Sequence, residues 1–290
     1  REALEAGERL DQPGVGDGGD GRELAGDRVV GHGAHSTAAA AGLDAHPLVS
    51  RVRALLDGPP VSAVGGAVRD ALLGRPPAPR PELDLVVEGD AIALAHRLGR
   101  ALGARVTAHP RFGTATIEVP HGGHLDLVTA RRERYAVPGA LPTVAPSTLA
   151  DDLARRDFTV NAMALRLCGP GAGELVDPHG GRADLERGLV RALREDAFEE
   201  DPSRVVRAAR YAARLGFALA PGTRAAAERA AARLDPGSSR VADELRRLLA
   251  EPTAAAGLEV LAGLGVPWVA RDGLAARLAA LEAARAHPRA

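Results

Sequence analysis

Two short stretches of the chain alternate acidic residues with leucine, and a β-strand places such a period of two on opposite faces. ELDLVVEG covers residues 82–89, and HLDLVTA covers residues 124–130. Glu82 and Asp84 share one face of the first stretch, and Asp126 stands between two leucines in the second. The pattern predicts two strands, each with one apolar face and one acidic face.

The acidic face has two interpretations from the residues alone. Neighbouring carboxylates repel one another, so Glu82 and Asp84 favour a cation site, and Mg²⁺ prefers such oxygen ligands. Asp126 could add a third carboxylate from a neighbouring strand. The exposed polar face of an antiparallel sheet shows the same alternation, and these residues do not separate the two interpretations.

The elements around these stretches predict an α+β fold with a mixed sheet. Apolar periodicity and glycine stops indicate short elements that alternate in type before residue 145. The expected helices lie at 48–56, 67–74 and 91–103, and the further strands lie at 61–64, 104–110 and 114–120.

From about residue 145 apolar residues recur at i, i+3 and i+4, which predicts a mainly helical second half. The expected helical segments are 148–165, 182–189, 201–217, 223–234, 239–250 and 254–290. Residues 1–43 are rich in glycine and aspartate with little periodicity, so we expect a disordered extension there.

A glycine pair is the first candidate for phosphate binding. The strand at 61–64 runs into Gly65 and Gly66, just before the helix that carries Arg69. Glycines let a backbone approach an anion closely, and an arginine adds a charge-assisted contact. A tight turn with Arg69 paired to a neighbouring acid is the alternative.

A stripe of arginines is the second candidate. Asp201 and Pro202 predict the start of a helix whose arginines recur every third residue: Arg204, Arg207 and Arg210. Such a stripe suits a triphosphate or a nucleic-acid backbone, and a solvated helix face is the alternative. The segment 155–159 with Asn161 is, on its own, typical of an ordinary polar helix start.

Composition and charge narrow the class of protein. With 37 basic and 38 acidic residues the net charge is -1, which excludes a bulk polycation and leaves only a local patch for nucleic acid. The single cysteine, Cys168, excludes an intrachain disulfide framework and a cysteine-rich zinc site. No apolar run reaches the roughly 20 residues of a membrane span, and no signal peptide is evident. We therefore expect a cytoplasmic protein without a membrane partner.

Six segments occur in one order that resembles a known family. They are GGAVRDALLG (65–74), ELDLVVEG (82–89), LDLVTARRERY (125–135), DDLARRDFTVNAMA (151–164), LVDPHGGRADLERGLVRAL (175–193) and EEDPSRVVRAARYAARLGF (199–217). From about residue 60 to about residue 265 the chain resembles the class II tRNA nucleotidyltransferase/poly(A) polymerase family, which includes the bacterial CCA-adding enzymes.

The resemblance implies a fold and an activity. The fold would be a polymerase-β-like nucleotidyltransferase head at 44–180, a helical neck at 181–248 and a truncated helical body at 249–290. The activity would be template-independent addition of C and A to the tRNA 3′ end. The tRNA 3′-hydroxyl would attack the α-phosphate of CTP or ATP, with two Mg²⁺ ions assisting.

Site residues follow from the same resemblance, position by position. Glu82 and Asp84 would hold Mg²⁺, and Asp126 would be the third acid of the catalytic set. The residues matched to nucleotide binding are Gly65, Gly66, Arg69, Arg156, Asp201, Arg204 and Arg207, of which Asp201 and Arg204 would pair with the incoming base. Residues 135–142 would form a flexible loop tied to the switch from C to A addition.

The chain also departs from the family pattern. Glu82 stands where the family usually has aspartate, the chain ends at residue 290, and residues 1–43 match nothing in the family. Two alternatives therefore remain beside CCA addition. One is a relative that adds only CC, only A or a poly(A) tail, and the other is a catalytically weak protein that binds nucleotide or RNA.

Overall fold

The computed structural model describes residues 42–120, 122–134, 143–194, 196–270 and 273. The expected disordered extension at 1–43 lies outside these residues except for its last two positions, of which Leu43 is buried in the core. The expected flexible loop at 135–142 also lies outside them.

Eleven strands are present in the described part of the chain. They are β1 Val61–Val64, β2 Glu82–Val87, β3 Arg105–His109, β4 Thr114–Glu118, β5 His124–Thr129, β6 Arg131–Arg134, β7 Thr143–Pro146, β8 Ala164–Cys168, β9 Leu175–Val176, β10 Leu189–Val190 and β11 Ala218–Leu219. Seven of them form one sheet in the order β3-β4-β5-β2-β1-β8-β9. Only β2 and β5 pair in parallel within it, so the expected α+β fold with a mixed sheet is confirmed.

The two acidic stretches form the parallel pair at the centre of the sheet. Their leucines lie in the core, where Leu83 and Leu125 have no exposed surface. The residues between them face the other side, and the register places Asp84 opposite Asp126. Burial of the leucines therefore holds both carboxylates at one level on the same face of the sheet.

Eleven α-helices are described. They are α1 Pro47–Arg53, α2 Gly66–Leu72, α3 Ala91–Leu102, α4 Leu149–Ala154, α5 Gly181–Glu186, α6 Ala197–Glu200, α7 Ser203–Leu215, α8 Pro221–Ala231, α9 Ser239–Leu249, α10 Ala254–Gly263 and α11 Pro267–Ala270. Helix α3 shows why the boundaries were predictable: Asp90 caps its start by accepting a hydrogen bond of 2.9 Å from the Ala93 N–H, and Gly103 ends it with φ 60°.

The expectation of one helical segment at 148–165 is wrong. Helix α4 ends at Ala154, a 3₁₀ turn spans Thr159–Asn161, and the rest of the segment enters strand β8. Ala164 and Leu165 are completely buried and pair with β1. A short apolar run fits a buried strand and a buried helix equally well, and pairing with the open edge of β1 decides in favour of the strand.

The segment 182–189 is also shorter as a helix than expected. Helix α5 ends at Glu186, and Gly188 adopts φ 64°. Leu189 then begins β10, which pairs in parallel with β11. Apart from this two-residue pair and a bridge between Phe158 and Ala192, the described residues between 181 and 270 form helices and the turns between them, which agrees with the expected helical character of this part of the chain.

Helix α7 joins the sheet to the following helices. It packs against α9 and α10, and its Tyr211 ring meets the ring of Phe158 edge-on at a centroid distance of 5.8 Å. Phe158 lies just before the 3₁₀ turn, is completely buried, and also contacts Phe198 on α6 at 6.5 Å. These three rings tie the sheet half of the chain to the helical half.

No helix within the described ranges combines the length and the apolar character that crossing a bilayer requires.

Candidate active site

Three acidic side chains, Glu82, Asp84 and Asp126, come together on one face of β2 and β5, near the beginning of both strands. We call this group the acidic edge. Asp84 and Asp126 face each other across the parallel pair, and Glu82 starts the same strand as Asp84. Thr116 on β4 donates a hydrogen bond of 2.5 Å to Asp126 Oδ1. His124 Nε2 lies 3.5 Å from Asp126 Oδ2 and 3.7 Å from Glu82 Oε1. The sequence-predicted acidic set is therefore assembled, with His124 and Thr116 as unexpected neighbours.

The Asp84 carboxyl is strongly perturbed. Burial raises its pKa to about 6, the Arg156 guanidinium opposes that rise, and the carboxylates of Asp126 and Glu82 add to it. Asp84 nevertheless keeps an exposed surface and lines an open cavity, so water reaches its carboxyl group from that side. A carboxyl group in this setting is stabilised by a cation that offsets the neighbouring negative charge.

The acidic edge fits a divalent cation in its donor chemistry. Carboxylate oxygens from Glu82, Asp84 and Asp126 suit Mg²⁺. Burial is the main cause of the raised Asp84 pKa, and the two neighbouring carboxylates add to it. Within the described ranges no three histidine, cysteine or acidic side chains form a preformed metal cage. Mg²⁺ commonly takes one or two carboxylates and completes its shell with water and substrate phosphate, so an open carboxylate edge agrees with it.

The glycine turn brings the backbone close to this edge. Gly65 has φ 70°, a conformation that side chains disfavour. A Cβ atom there would lie 3.3 Å from both Arg156 Nη1 and Asp84 Oδ2. Glycine at this position therefore leaves a guanidinium and a carboxylate free to approach the same point beside the backbone.

Arg156 is held by a buried acid. Asp152 has no exposed surface, and its Oδ2 accepts a hydrogen bond of 3.1 Å from Arg156 Nη2. Its other oxygen accepts from Arg155 Nη2 at 2.6 Å. Asp152 thus fixes two arginines at the end of α4, and sequence reasoning did not single it out.

Helix α7 and the residues just before it lie across an open cavity from the acidic edge. Asp201 Oδ1 accepts hydrogen bonds from the Ser203 N–H at 3.1 Å and the Ser203 hydroxyl at 2.6 Å. Pro202, rather than the expected Asp201, holds the N-cap position, and the Asp201 carboxylate pairs the first N–H of the helix from the residue before it. Arg204 is buried and donates to the Ala197 carbonyl at 3.1 Å. Arg210 is buried as well. A solvated helix face is therefore not the correct interpretation of the arginine stripe.

Arg207 connects three parts of the chain. Its Nη1 donates to Asp157 Oδ2 at 3.0 Å, and its Nη2 donates to Glu244 Oε1 at 2.8 Å. Charge attraction from Asp157 and Glu244 raises the Arg207 pKa although burial opposes it. Asp157 was part of a segment taken for a polar helix start, and nothing in the sequence singled out Glu244 on α9.

A cavity of about 560 Å³ lies between the acidic edge and α7. Eight of the residues predicted from the sequence line it: Gly65, Gly66, Asp84, Asp126, Arg156, Asp201, Arg204 and Arg207. Two predicted residues, Arg69 and Glu82, instead line an adjoining cavity of about 800 Å³ that shares Asp84 and Asp126 with the first. Asn161 and Tyr211 belong to the first cavity as well. The arrangement places carboxylates, guanidinium groups and a glycine turn around one space large enough for a nucleotide.

The chain is similar to several known proteins. Residues 61–191 match the family model described as the Poly A polymerase head domain. The A-adding tRNA nucleotidyltransferase of Halalkalibacterium halodurans is 43% identical over 218 residues, which is 73% of this chain and 50% of that protein. The CC-adding tRNA nucleotidyltransferase of Deinococcus radiodurans is 48% identical over 205 residues, or 71% of this chain and 54% of that protein.

A solved structure shares the architecture. It is a tRNA nucleotidyltransferase complexed with a primer tRNA and an incoming ATP analog, with a TM-score of 0.64 and 34% identity over 78% of this chain and 63% of that one. The present chain spans about half the length of the two curated relatives named above.

Proposed function

From the premise that the chain belongs to the class II tRNA nucleotidyltransferase/poly(A) polymerase family, we propose that it adds nucleotides to the 3′ end of tRNA. The observation that carries the proposal is the smaller cavity, which is lined by Asp84 and Asp126 of the acidic edge, by Asp201 just before α7 and by Arg204 on α7. Chemistry at a phosphate and selection of a base could both take place within that one space.

The residues divide into three roles in the proposed reaction. Arg156 and Arg207 would offset the charge of the triphosphate, while the Gly65-Gly66 turn lets it approach the backbone. Asp201 and Arg204 would meet the base edge, because a carboxylate accepts and a guanidinium donates hydrogen bonds in fixed directions. Glu82, Asp84 and Asp126 would hold Mg²⁺. When bound there, the ion would supply positive charge that favours ionisation of a 3′-hydroxyl and departure of pyrophosphate.

The adjoining cavity supports an RNA strand as the second substrate. Its wall carries the acidic edge at one end and exposed arginines, including Arg75, Arg80 and Arg247, elsewhere. A polyanion whose terminal hydroxyl reaches the acidic edge would match this distribution of charge. We therefore assign the smaller cavity to the incoming nucleotide and the larger one to the RNA 3′ end.

The output is proposed as C and A addition, with narrower relatives kept as alternatives. An A-adding and a CC-adding enzyme match the chain with similar identity, so sequence identity does not choose between them. Within this proposal the head covers 44–180, the neck 181–248 and a partial body the residues from 249 onward.

The test of the proposal uses three transcripts of one tRNA, ending before CCA, after C and after CC. Each is incubated with Mg²⁺, CTP and ATP, and the products are separated on a gel. We expect extension to CCA that then stops. Addition of C only, of A only or of a long A tail would select a narrower relative, and absence of any addition would contradict catalytic activity of this chain.

Glu82→Gln should lower the rate of nucleotide addition by about 10-fold. The effect is modest because the Glu82 side chain is 74% exposed, so water screens its charge. Glu82→Asp keeps the charge and is the matched control, and we expect its rate to stay within about 5-fold of the natural chain. An unchanged rate for Glu82→Gln would remove Glu82 from the proposed cation site.

Binding of tRNA should weaken steeply as salt rises. If arginines of the larger cavity contact about four backbone phosphates, affinity should fall by roughly 10–100-fold between about 50 and 200 mM salt. Fluorescence anisotropy of labelled tRNA at four salt concentrations measures the slope. A flat dependence would argue against a nucleic-acid partner for this cavity.

A further inference from the structure

The first residue of α7 holds one oxygen of the Asp201 carboxylate. Ser203 donates to Asp201 Oδ1 twice, through its N–H at 3.1 Å and through its hydroxyl at 2.6 Å. Only 2% of the Ser203 surface is exposed, and among the described residues it belongs to the wall of neither cavity. Ser203 therefore acts on the cavities only through the carboxylate that it holds.

The Asp201 side chain connects this serine to the smaller cavity. It is 18% exposed and lines that cavity. Its second oxygen, Oδ2, lies 3.5 Å from Arg240 Nη1 on α9, which is longer than an ordinary hydrogen bond. A carboxylate has about four acceptor positions, so the two Ser203 bonds to Oδ1 leave Oδ2 able to accept from a ligand. Rotation of the carboxylate would break both Ser203 bonds, so Ser203 fixes its orientation.

The Ser203 hydroxyl is not needed to begin the helix. The first N–H of α7 is already paired with Asp201 Oδ1, and the hydroxyl bond to the same oxygen satisfies no further backbone group. A hydrogen bond to an ionised acceptor is one of the stronger kinds. The main effect of this second bond is therefore to oppose rotation of the carboxylate.

The orientation of Asp201 matters for the base that it would meet. Cytosine and adenine carry an exocyclic amino group, which donates, where uracil and guanine carry a carbonyl oxygen, which accepts. A carboxylate oxygen held in place accepts from the amino group and repels the carbonyl oxygen. A carboxylate that rotates freely turns away from the carbonyl oxygen, and the penalty against uracil and guanine then falls.

We propose that Ser203 is a specificity-determining positioning residue, whose hydroxyl holds Asp201 so that nucleotides with an exocyclic amino group are selected over those with a carbonyl oxygen. The proposal rests on the proposed function for the identity of the ligand. Ser203 does not touch the nucleotide, so its removal should change the choice between nucleotides more than the strength with which all of them bind.

The first test is Ser203→Ala, which removes the hydroxyl and keeps the N–H bond to Asp201. Calorimetry with Mg²⁺ and without RNA measures the binding of CTP, UTP, ATP and GTP. We expect the preference for CTP over UTP, and for ATP over GTP, to fall by about 10-fold, the lower end for a hydrogen bond to a charged group. If all four nucleotides weaken equally, the serine has only a structural role and the proposal is overturned.

Ser50→Ala is the matched control. The Ser50 hydroxyl also donates to an acceptor close in sequence, the Pro47 carbonyl at 3.0 Å, but on the exposed surface of α1. We expect both nucleotide preferences to stay within about 2-fold of the natural chain. A loss equal to that of Ser203→Ala would show that the effect does not pass through Asp201.

The second test repeats the measurement in chains that carry Asp201→Ala. Once the carboxylate is gone, adding Ser203→Ala should change the two preferences by less than about 2-fold, because the serine has nothing left to orient. A further loss as large as that in the natural background would show that Ser203 acts by another route and would overturn its positioning role.

The remaining outcomes separate this inference from the proposed function. Unchanged preferences in Ser203→Ala, in a chain that still extends tRNA, would overturn the inference and leave the function standing. The expected loss of preference in a chain that extends no RNA would support the positioning role and contradict the function. Equal binding of all four nucleotides to the natural chain would overturn the inference together with the proposed base contact of Asp201.

Discussion

Asp84→Asn should abolish the proposed nucleotide addition and at the same time stabilise the folded chain at neutral pH. The rate should fall by roughly 10²–10³-fold or more, the scale of removing one preorganised electrostatic group from a reaction site. The melting temperature at pH 7 without divalent cations should rise by roughly 2–4 °C, which corresponds to about 1 kcal/mol after screening by water in the cavity.

The stabilisation follows from the direction of the Asp84 pKa shift. Folding raises that pKa from 3.8 to about 6, so the folded chain holds the proton more tightly than the unfolded chain. The contribution to stability is fully present below pH 3.8 and is lost as pH rises through about 6. At pH 7 the ionised carboxylate is a cost that asparagine does not carry.

Thermal unfolding at pH 4, 5, 6 and 7 measures this effect. The melting temperature of Asp84→Asn relative to the natural chain should increase across that range. Asp57→Asn is the matched control, because Asp57 is 80% exposed and pairs with Arg97 on the surface, where removal changes little. A variant that keeps its activity, or that is less stable at pH 7, would contradict the role assigned to Asp84.

Phe158→Ala should destabilise the chain by about 3–5 kcal/mol, the usual cost of emptying a fully buried aromatic site. The ring has no exposed surface and contacts both Phe198 and Tyr211. Its neighbour Asp157 holds Arg207, and its other neighbour Thr159 donates at 2.7 Å to Asp184. The cavity left behind would therefore loosen the wall that carries Arg207 and Asn161.

Urea unfolding measures this prediction, with Phe217→Ala as the matched control. Phe217 is only half-buried, so the same substitution there should cost about 1–2 kcal/mol. Equal costs at the two positions would show that Phe158 is not the anchor between the sheet and α7.

Sequence reasoning succeeded where local patterns carry the information. The period-two alternation of Glu82 and Asp84 with leucines predicted β2 and its acidic face, because strand side chains alternate whatever lies around them. The resemblance to the family, which the comparisons confirm, then grouped eight predicted residues that line one cavity. Neither the prediction of β2 nor the grouping of these residues required knowledge of contacts between distant positions.

The elements and site residues that the sequence did not predict depend on contacts between positions far apart in the chain. Strand β8 was taken for helix because only its pairing with β1 distinguishes the two states. Glu244 lies 37 positions from Arg207, and Asn161 lies 92 positions from Arg69. No periodicity in the sequence reports that these side chains meet, so their role in holding the site was visible only in the fold.

The ion pairs of Arg207 bear on what selects the added nucleotide in the proposed reaction. Asp157 on the sheet side and Glu244 on α9 hold the same guanidinium, so the first ion pair ties α7 to the sheet side and the second ties α7 to α9. In a template-dependent polymerase, a second nucleic-acid strand selects the incoming nucleotide, and that strand can be exchanged. In the proposed reaction the position of α7 relative to the acidic edge would select the nucleotide, so a change in that position would change which nucleotide is added to the RNA.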